Sequence, residues 1–304
     1  MYTVLIDYCE QNNIRCLLNE PLYKHTTFRI GGNADVFVFV NKAKDIGDIL
    51  AILKKTNIPY LIIGRGSNLL INDDGLRGVV ISLEEMKNIS LEDGIITAES
   101  GAHLISLCNF AAENSLKGLE FAYGIPASVG GALYMNAGAY GGEMKDVVLS
   151  ALCMDKDGNV FTLNKEDMQL SYRNSIFEKN EYIILNVKFM LKKGEKSEIL
   201  NEMNDYFGRR KAKQPLEYPS AGSTFKRPEG YFAGALIEQN NFKGFGVGGA
   251  EVSEKHAGFV INKNNATCSD VLNLIEIIRK TVLEKDGVEL KREVILIDSN
   301  LKKL

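Results

Sequence analysis

At 304 residues the chain is longer than one hydrophobic core usually organises, so two or three compact units are expected. Apolar residues make up 45% and charged residues 25%, the balance of an ordinary globular protein. A net charge of -3 with a pI near 5.8 gives no positive field to draw the chain onto nucleic acid or an anionic membrane, so neither is an expected partner, and any anionic ligand must be held by local donors.

Met1 to Asn12 carries no basic stretch followed by an apolar run, and nowhere do eighteen apolar residues follow one another. A cytoplasmic location is expected. The five cysteines, Cys9, Cys16, Cys108, Cys153 and Cys268, are odd in number and share no CxxC or Cys/His ligand spacing, so they read as free thiols and no metal is expected. His25, His103 and His256 are scattered, which argues against a His-based triad.

Along the chain, Ala34 to Val40 alternates as a strand. Ile46, Ile49, Leu50 and Leu53 recur at helical spacing until Asn57 and Pro59 stop them, and Tyr60 to Ile63 is the next strand. Val79 to Ile81 and Gly94 to Ala98 read as short strands, and Leu104, Leu107, Cys108 and Ala111 mark a helix closed near Gly118. After the small-residue stretch Gly124 to Gly142 come strands around Leu149 to Met154 and Tyr182 to Leu191. Ile199, Met203 and Tyr206 predict a helix capped by Ser197, which a polar segment from Arg209 to Pro219 leaves. Val271, Leu274, Ile275, Ile278 and Val282 predict a long helix with Ser269 as N-cap and Gly287 as its stop, and Val288 to Ile297 predicts a last strand. A unit boundary is expected at residues 192 to 197.

Three stretches bear on chemistry. Gly64-Arg65-Gly66-Ser67-Asn68 opens directly after an apolar strand, and is either a tight turn or a cradle of backbone N–H groups for an anion. It is not the Rossmann fingerprint, because Leu69 stands where the third glycine belongs. The glycines and alanines of Gly124 to Gly142 permit close approach, of a ligand or of another backbone. In Ala221-Gly222-Ser223-Thr224-Phe225-Lys226 a hydroxyl sits beside a glycine without a GxSxG elbow, so Ser223 is either a turn serine or a preset proton donor. Arg173 follows Tyr172 in a polar turn. Glu293, expected on a strand face shared with Ile295 and Ile297, is either functional or half of an ion pair.

Taken in order, these stretches resemble the UDP-N-acetylenolpyruvoylglucosamine reductase family. Thr26-Thr27-Phe28-Arg29-Ile30-Gly31-Gly32, Gly64 to Leu70, Gly124-Ile125-Pro126 through Gly142, Tyr172-Arg173-Asn174-Ser175, Ala221 to Lys226 and Leu236-Ile237-Glu238-Gln239 all match. The resemblance implies an α+β fold: a two-subdomain FAD-binding module of the vanillyl-alcohol oxidase (PCMH) type, followed by an α+β substrate-binding domain. The limits expected are residues 1–21 for an N-terminal segment, 22–80 and 81–192 for the two FAD subdomains, and 193–304 for the substrate domain.

The same resemblance implies noncovalent FAD, NADPH as reductant and UDP-N-acetylglucosamine enolpyruvate as substrate, in a monomeric enzyme of cell-wall precursor synthesis. The positions matching the catalytic trio are Arg173, Ser223 and Glu293. Arg173 and Glu293 would stabilise an enolate-like intermediate, the glutamate in its acid form, and Ser223 would deliver a proton to the α-carbon. The cofactor-binding positions implied are Arg29, Gly64, Arg65, Gly66, Ser67, Asn68, Pro126, Ala127, Ser128, Gly130, Gly131, Asn136, Ala137, Gly138, Ala139 and Tyr140.

Lys213 and Arg227 are candidates for a ligand phosphate, and Gln239 for a polar interaction with substrate. Only Glu178, Lys179, Asn180 and Glu181 separate the Tyr172 to Phe177 motif from the next strand, so the chain is similar to the family's second type, which lacks a tyrosine lid. A flavin oxidase of the same superfamily and a noncatalytic flavin-binding protein are the competing readings. The Ser223 and Glu293 motifs argue against the first, and the presence of all three trio residues against the second.

Overall fold

The structure, a computed structural model, describes residues 1–304 and is α+β throughout. It divides into two compact units: Met1–Leu17, Val36–Arg65 and Val79–Arg210 form the first, and Leu18–Asp35, Gly66–Gly78 and Lys211–Leu304 the second. These units interleave in sequence, so they depart from the linear limits expected. The stretch 22–80 is shared between units, and the expected boundary at 192 to 197 lies inside the first. The cause is the helix Lys196–Lys213, whose Ile199 and Met203 pack into the first unit's core. Residues 1–21 are no separate segment either: Thr3–Gln11 is a helix, and its Leu5 and Cys9 join a core with Ile46, Ile49 and Val79.

The first unit holds two cores. One surrounds the helix Ala43–Thr56, which buries Ile46, Ile49, Leu50 and Leu53, carries Asp45 in its first turn and Lys54 and Lys55 in its last, and stops at Asn57 in the left-handed region, φ 52°. Charges of that order complement the helix dipole, and the polar C-terminal residue tolerates the turn. The strand Tyr60–Ile63 lies parallel to Leu76–Ser82, with Leu61 opposite Val80. The other core backs an antiparallel five-stranded sheet in the order Val160–Asn164, Val148–Met154, Ile183–Met190, Ile95–Glu99, Ile89–Glu92. Against it pack the helices Leu104–Glu113 and Val129–Tyr134.

In the second unit the helix Cys268–Asp286 buries Val271, Leu274, Ile275, Ile278 and Val282 against Ala233–Gln239 and the small sheet Gly246–Val247, Ala250–Val252, Val260–Asn262. Ile295–Ile297 runs parallel to Leu69–Ile71.

Several local expectations are corrected. The last helix is capped by Thr267, whose Oγ1 accepts from Asp270 N at 3.0 Å while Asp270 Oδ2 accepts from Thr267 N at 3.0 Å. Thr267 wins over Ser269 because only it has an acidic residue three positions on to reciprocate. Ser269 lies inside the helix and bonds to Asp73. Ser197 is likewise inside its helix, which runs on through Arg209 to Lys213 before Pro215 ends it. The helix from Leu104 closes at Glu113, with Ser115 at φ 55°, well before Gly118. The last strand is confined to Ile295–Ile297, so Glu293 precedes it.

Candidate functional site

In the first unit the two glycine-rich stretches meet. A side chain on Gly64, directly after the strand Tyr60–Ile63, would overlap Ser128 Oγ. Ser128 is itself buried and caps Val129–Tyr134, accepting from Gly131 N at 3.2 Å. The helix forms despite Gly130 and Gly131 because Val129 N donates to Ala102 O and Gly130 N to Ser100 O, both at 2.8 Å. A Cβ at Gly130 would collide with Ser100 Oγ, and one at Gly142 would sit 2.6 Å from Phe121. Of the two readings of these glycines, close packing therefore holds at Gly64, Gly130 and Gly142, and the packing is what joins the loops. Ala127, beside Pro126, is buried and its carbonyl accepts from Leu104 N at 3.0 Å.

Arg65 reaches the His103 ring. Burial, with the nearby Arg65 charge, holds that imidazole below its ordinary value, which suits a neutral acceptor.

Asn136, fully buried, ties three segments together. Its Nδ2 donates to Glu143 Oε2 at 2.8 Å and to Ser171 O at 3.1 Å, and its Oδ1 accepts from Lys145 N at 2.9 Å. Ala137 N donates to Ala132 O at 2.8 Å, and Gly138–Ala139 pairs with Gly142–Glu143 around a two-residue turn, Tyr140 at φ 52° and Gly141 at φ 89°. The Tyr140 ring stacks on Tyr206 with centroids 4.7 Å apart.

Arg173 occupies a similar turn. Ser171 and Asn174 exchange backbone hydrogen bonds of 3.1 Å, leaving Tyr172 and Arg173 at the tip, Arg173 at φ 51°. Non-glycine residues in that region carry strain of about 1–3 kcal/mol, sustained only where the surroundings over-determine them. Here Ser175 Oγ donates to Tyr134 O at 2.6 Å and Asn136 holds Ser171. Lys145 first, then Asn136 and the charge of Arg173, hold the Glu143 carboxyl below its usual range. Replacing Asn136 with Ala should cost about 1–3 kcal/mol by leaving these buried groups unpaired. Chemical denaturation would measure it, and an unchanged midpoint would mean the network is not what holds the Arg173 turn.

The second unit carries the rest. Gly66 takes φ 58°, and any side chain there would overlap His25 O. Beyond Ser67, Asn68 Nδ2 donates to Glu293 O at 3.1 Å and Asn68 O accepts from Ile295 N at 2.9 Å. Gly222 at φ 77° turns the chain into exposed Ser223. The next residues are rigid: Thr224 N donates to Gly258 O at 2.9 Å, Thr224 Oγ1 accepts from Val260 N at 3.0 Å, and Phe225 is buried. Half-buried Glu293 donates its N–H to Thr224 O at 2.9 Å, and Phe225 pairs with Arg292. Ser223 and Glu293 thus sit on hydrogen-bonded neighbouring stretches.

Thr27 Oγ1 anchors the Thr26 to Ile30 turn to Ser220 O at 2.7 Å, leaving Arg29 exposed at φ 55°. Lys213 is exposed at its helix end, and Arg227 lies 4.0 Å over the Phe232 ring. Gln239 donates to Asp286 at 2.8 Å, so its amide already has a protein partner.

Comparison with known proteins identifies the family. Residues 34–164 match a family described as FAD binding domain, and residues 214–297 match the C-terminal domain of UDP-N-acetylenolpyruvoylglucosamine reductase. A protein of that name from Clostridium botulinum (strain Hall) is 52% identical over 291 residues, 96% of this chain and 94% of its own length. The chain belongs to the UDP-N-acetylenolpyruvoylglucosamine reductase family.

A further reductase, from Caldanaerobacter subterraneus, is 48% identical over 98% of this chain and 99% of its own. The crystal structure of the reductase from Thermus caldophilus superposes with a TM-score of 0.79 at 34% identity, covering 93% of this chain and 98% of that one. The fold expectation is met, and the chain is an FAD-dependent oxidoreductase of this reductase family.

The glycines at 64, 66, 130 and 142 are required by packing against Ser128, His25, Ser100 and Phe121, which fixes the loops around Ser128 and Tyr140. In this reductase Cys9, Cys108, Cys153 and Cys268 are buried free thiols, and burial pushes Cys153 and Cys268 up to about 12. No helix is long and apolar enough to cross a membrane. After Ser175, Ile176–Asn180 forms a single helical turn that leads by Glu181 into Ile183–Met190.

One residue escaped the sequence reading: Arg210, whose Nε is buried without a hydrogen-bond partner.

Proposed function

We propose that the chain reduces UDP-N-acetylglucosamine enolpyruvate to UDP-N-acetylmuramate with NADPH through noncovalently bound FAD, as a cytoplasmic monomer. The observation that carries this reading is the 2.9 Å hydrogen bond from Glu293 N to Thr224 O, which holds the carboxyl-bearing stretch beside the turn that presents Ser223. Ser223 lacks the GxSxG elbow of a serine hydrolase, and the stretch that carries Glu293 is fixed to the residue after it. Membership of the reductase family and the match to FAD binding domains support the substrate and the cofactor.

Bound FAD supplies hydride transfer between NADPH and the enol ether. The remaining work falls to this chain's side chains. As the β-carbon gains hydride, charge accumulates toward the substrate carboxylate. Arg173, preset in its strained turn, and the Glu293 carboxyl as an acid-form donor stabilise that charge. Ser223 gives its proton to the α-carbon. Arg29 and the loop from Gly64 to Asn68, with Ser128 to Tyr140, hold the dinucleotide, and Lys213 and Arg227 attract phosphate. The two cores of the first unit correspond, on this reading, to two FAD subdomains, and the second unit to the substrate domain.

Anaerobic mixing with NADPH should bleach the flavin, and the enolpyruvyl sugar nucleotide should then restore its colour. Reduced flavin that is reoxidised by oxygen alone would establish the flavin oxidase instead.

A further inference from the structure

Arg210 lies on the helix Lys196–Lys213, in the first unit. Its neighbour Arg209 pairs with Asp205 one turn earlier, at 2.7 Å. The residues one turn from Arg210 are Tyr206, Phe207, Lys213 and Gln214, none of them acidic. Arg210 makes no ion pair, and its Nε is sealed from solvent without an acceptor. Burial pushes the guanidinium down, and the phenol of Tyr140 is the only group that offsets it.

The side chain is also held in place. Gly124, at φ 93°, packs so tightly that a Cβ would sit 2.8 Å from the Phe207 ring and 3.4 Å from Arg210 Cδ. Tyr123 meets the Phe207 ring edge-on at 5.8 Å, and Tyr140 stacks on Tyr206, the residue just before Phe207 on the helix. Arg210 is half-buried, with its Nε out of water and unpaired, and a donor so placed costs stability until a group from outside supplies an acceptor. The planar guanidinium fork matches phosphate oxygens.

We propose that Arg210 is a binding residue for a diphosphate, that of the bound dinucleotide or that of the nucleotide sugar, engaged beside Tyr140. The need for an anion rests on the geometry; the naming of these two diphosphates rests on the function proposed above.

The test compares the wild-type holoenzyme with Arg210→Met and Arg210→Lys. FAD release on dilution is followed by recovered flavin fluorescence, UDP binding by perturbation of flavin absorbance, and folding by melting temperature. Removing a charge-assisted hydrogen bond from a buried site weakens affinity roughly tenfold or more. FAD release at least about tenfold faster in Arg210→Met, with UDP binding unchanged, assigns Arg210 to the dinucleotide. The opposite pattern assigns it to the nucleotide sugar, and Arg210→Lys should fall between in either case.

Unchanged FAD release and UDP binding in both variants would overturn the proposal, as would a lowered melting temperature with both constants intact. If Arg210→Met does not fold, Arg210→Lys alone decides by the same two constants. Faster FAD release in an enzyme that never reduces the enolpyruvyl sugar would leave this proposal standing while the proposed function fell.

Discussion

Replacing Ser223 with alanine should lower turnover by roughly 10²–10⁴-fold, the range of a positioned general acid, while FAD stays bound. The reason lies in how the hydroxyl is held. Gly222 at φ 77° makes the turn, and buried Thr224 and Phe225 anchor it to Gly258 O, Val260 N and Arg292, so Ser223 is presented from a rigid shoulder. Removing one exposed oxygen from such a site disturbs no packing. The loss should also be confined to one half of the reaction: stopped-flow reduction of the flavin by NADPH should keep its rate, and reoxidation by the enolpyruvyl sugar should slow. A variant slowed equally in both halves would show a damaged cofactor site, and one slowed in neither would take Ser223 out of the chemistry.

Replacing Glu293 tests the charge-stabilising role. Glu293→Ala should cost about 10²–10³-fold in turnover, typical of losing one preorganised donor. Glu293→Gln should retain more activity, because a neutral amide can still donate where an acid-form carboxyl did. The substitution leaves the Asn68 and Thr224 bonds alone, since both involve the Glu293 backbone. Equal activity in Glu293→Ala and Glu293→Gln would contradict the donor role.

What could be read from sequence was whatever is encoded locally. Ile46, Ile49, Leu50 and Leu53 recur with the helical period and Asn57 ends the run, so the helix Ala43–Thr56 was legible. The serine turn was legible from Gly222. The pairing of Glu293 with Thr224 was not, because a hydrogen bond between stretches distant in the chain leaves no spacing to find. The interleaving of the two units escaped for the same reason: Leu18–Asp35 and Gly66–Gly78 join the second unit through partners far along the chain.

The small-residue stretch gave no helical signal because glycine disfavours helix, yet Ser128, Ser100 and Ala102 satisfy the first turn's donors and the helix Val129–Tyr134 forms. Arg210 left a faint local sign, an arginine with no acidic residue one turn away, but its burial shows only in three dimensions.

The most direct measurement is a crystal structure with FAD and the enolpyruvyl sugar nucleotide both bound. It should show Ser223 Oγ within hydrogen-bond reach, about 2.6–3.2 Å or through one water, of the substrate's α-carbon side, with Arg173 and Glu293 at its carboxylate. A substrate bound over the flavin with Ser223 and Glu293 both out of reach would contradict the account.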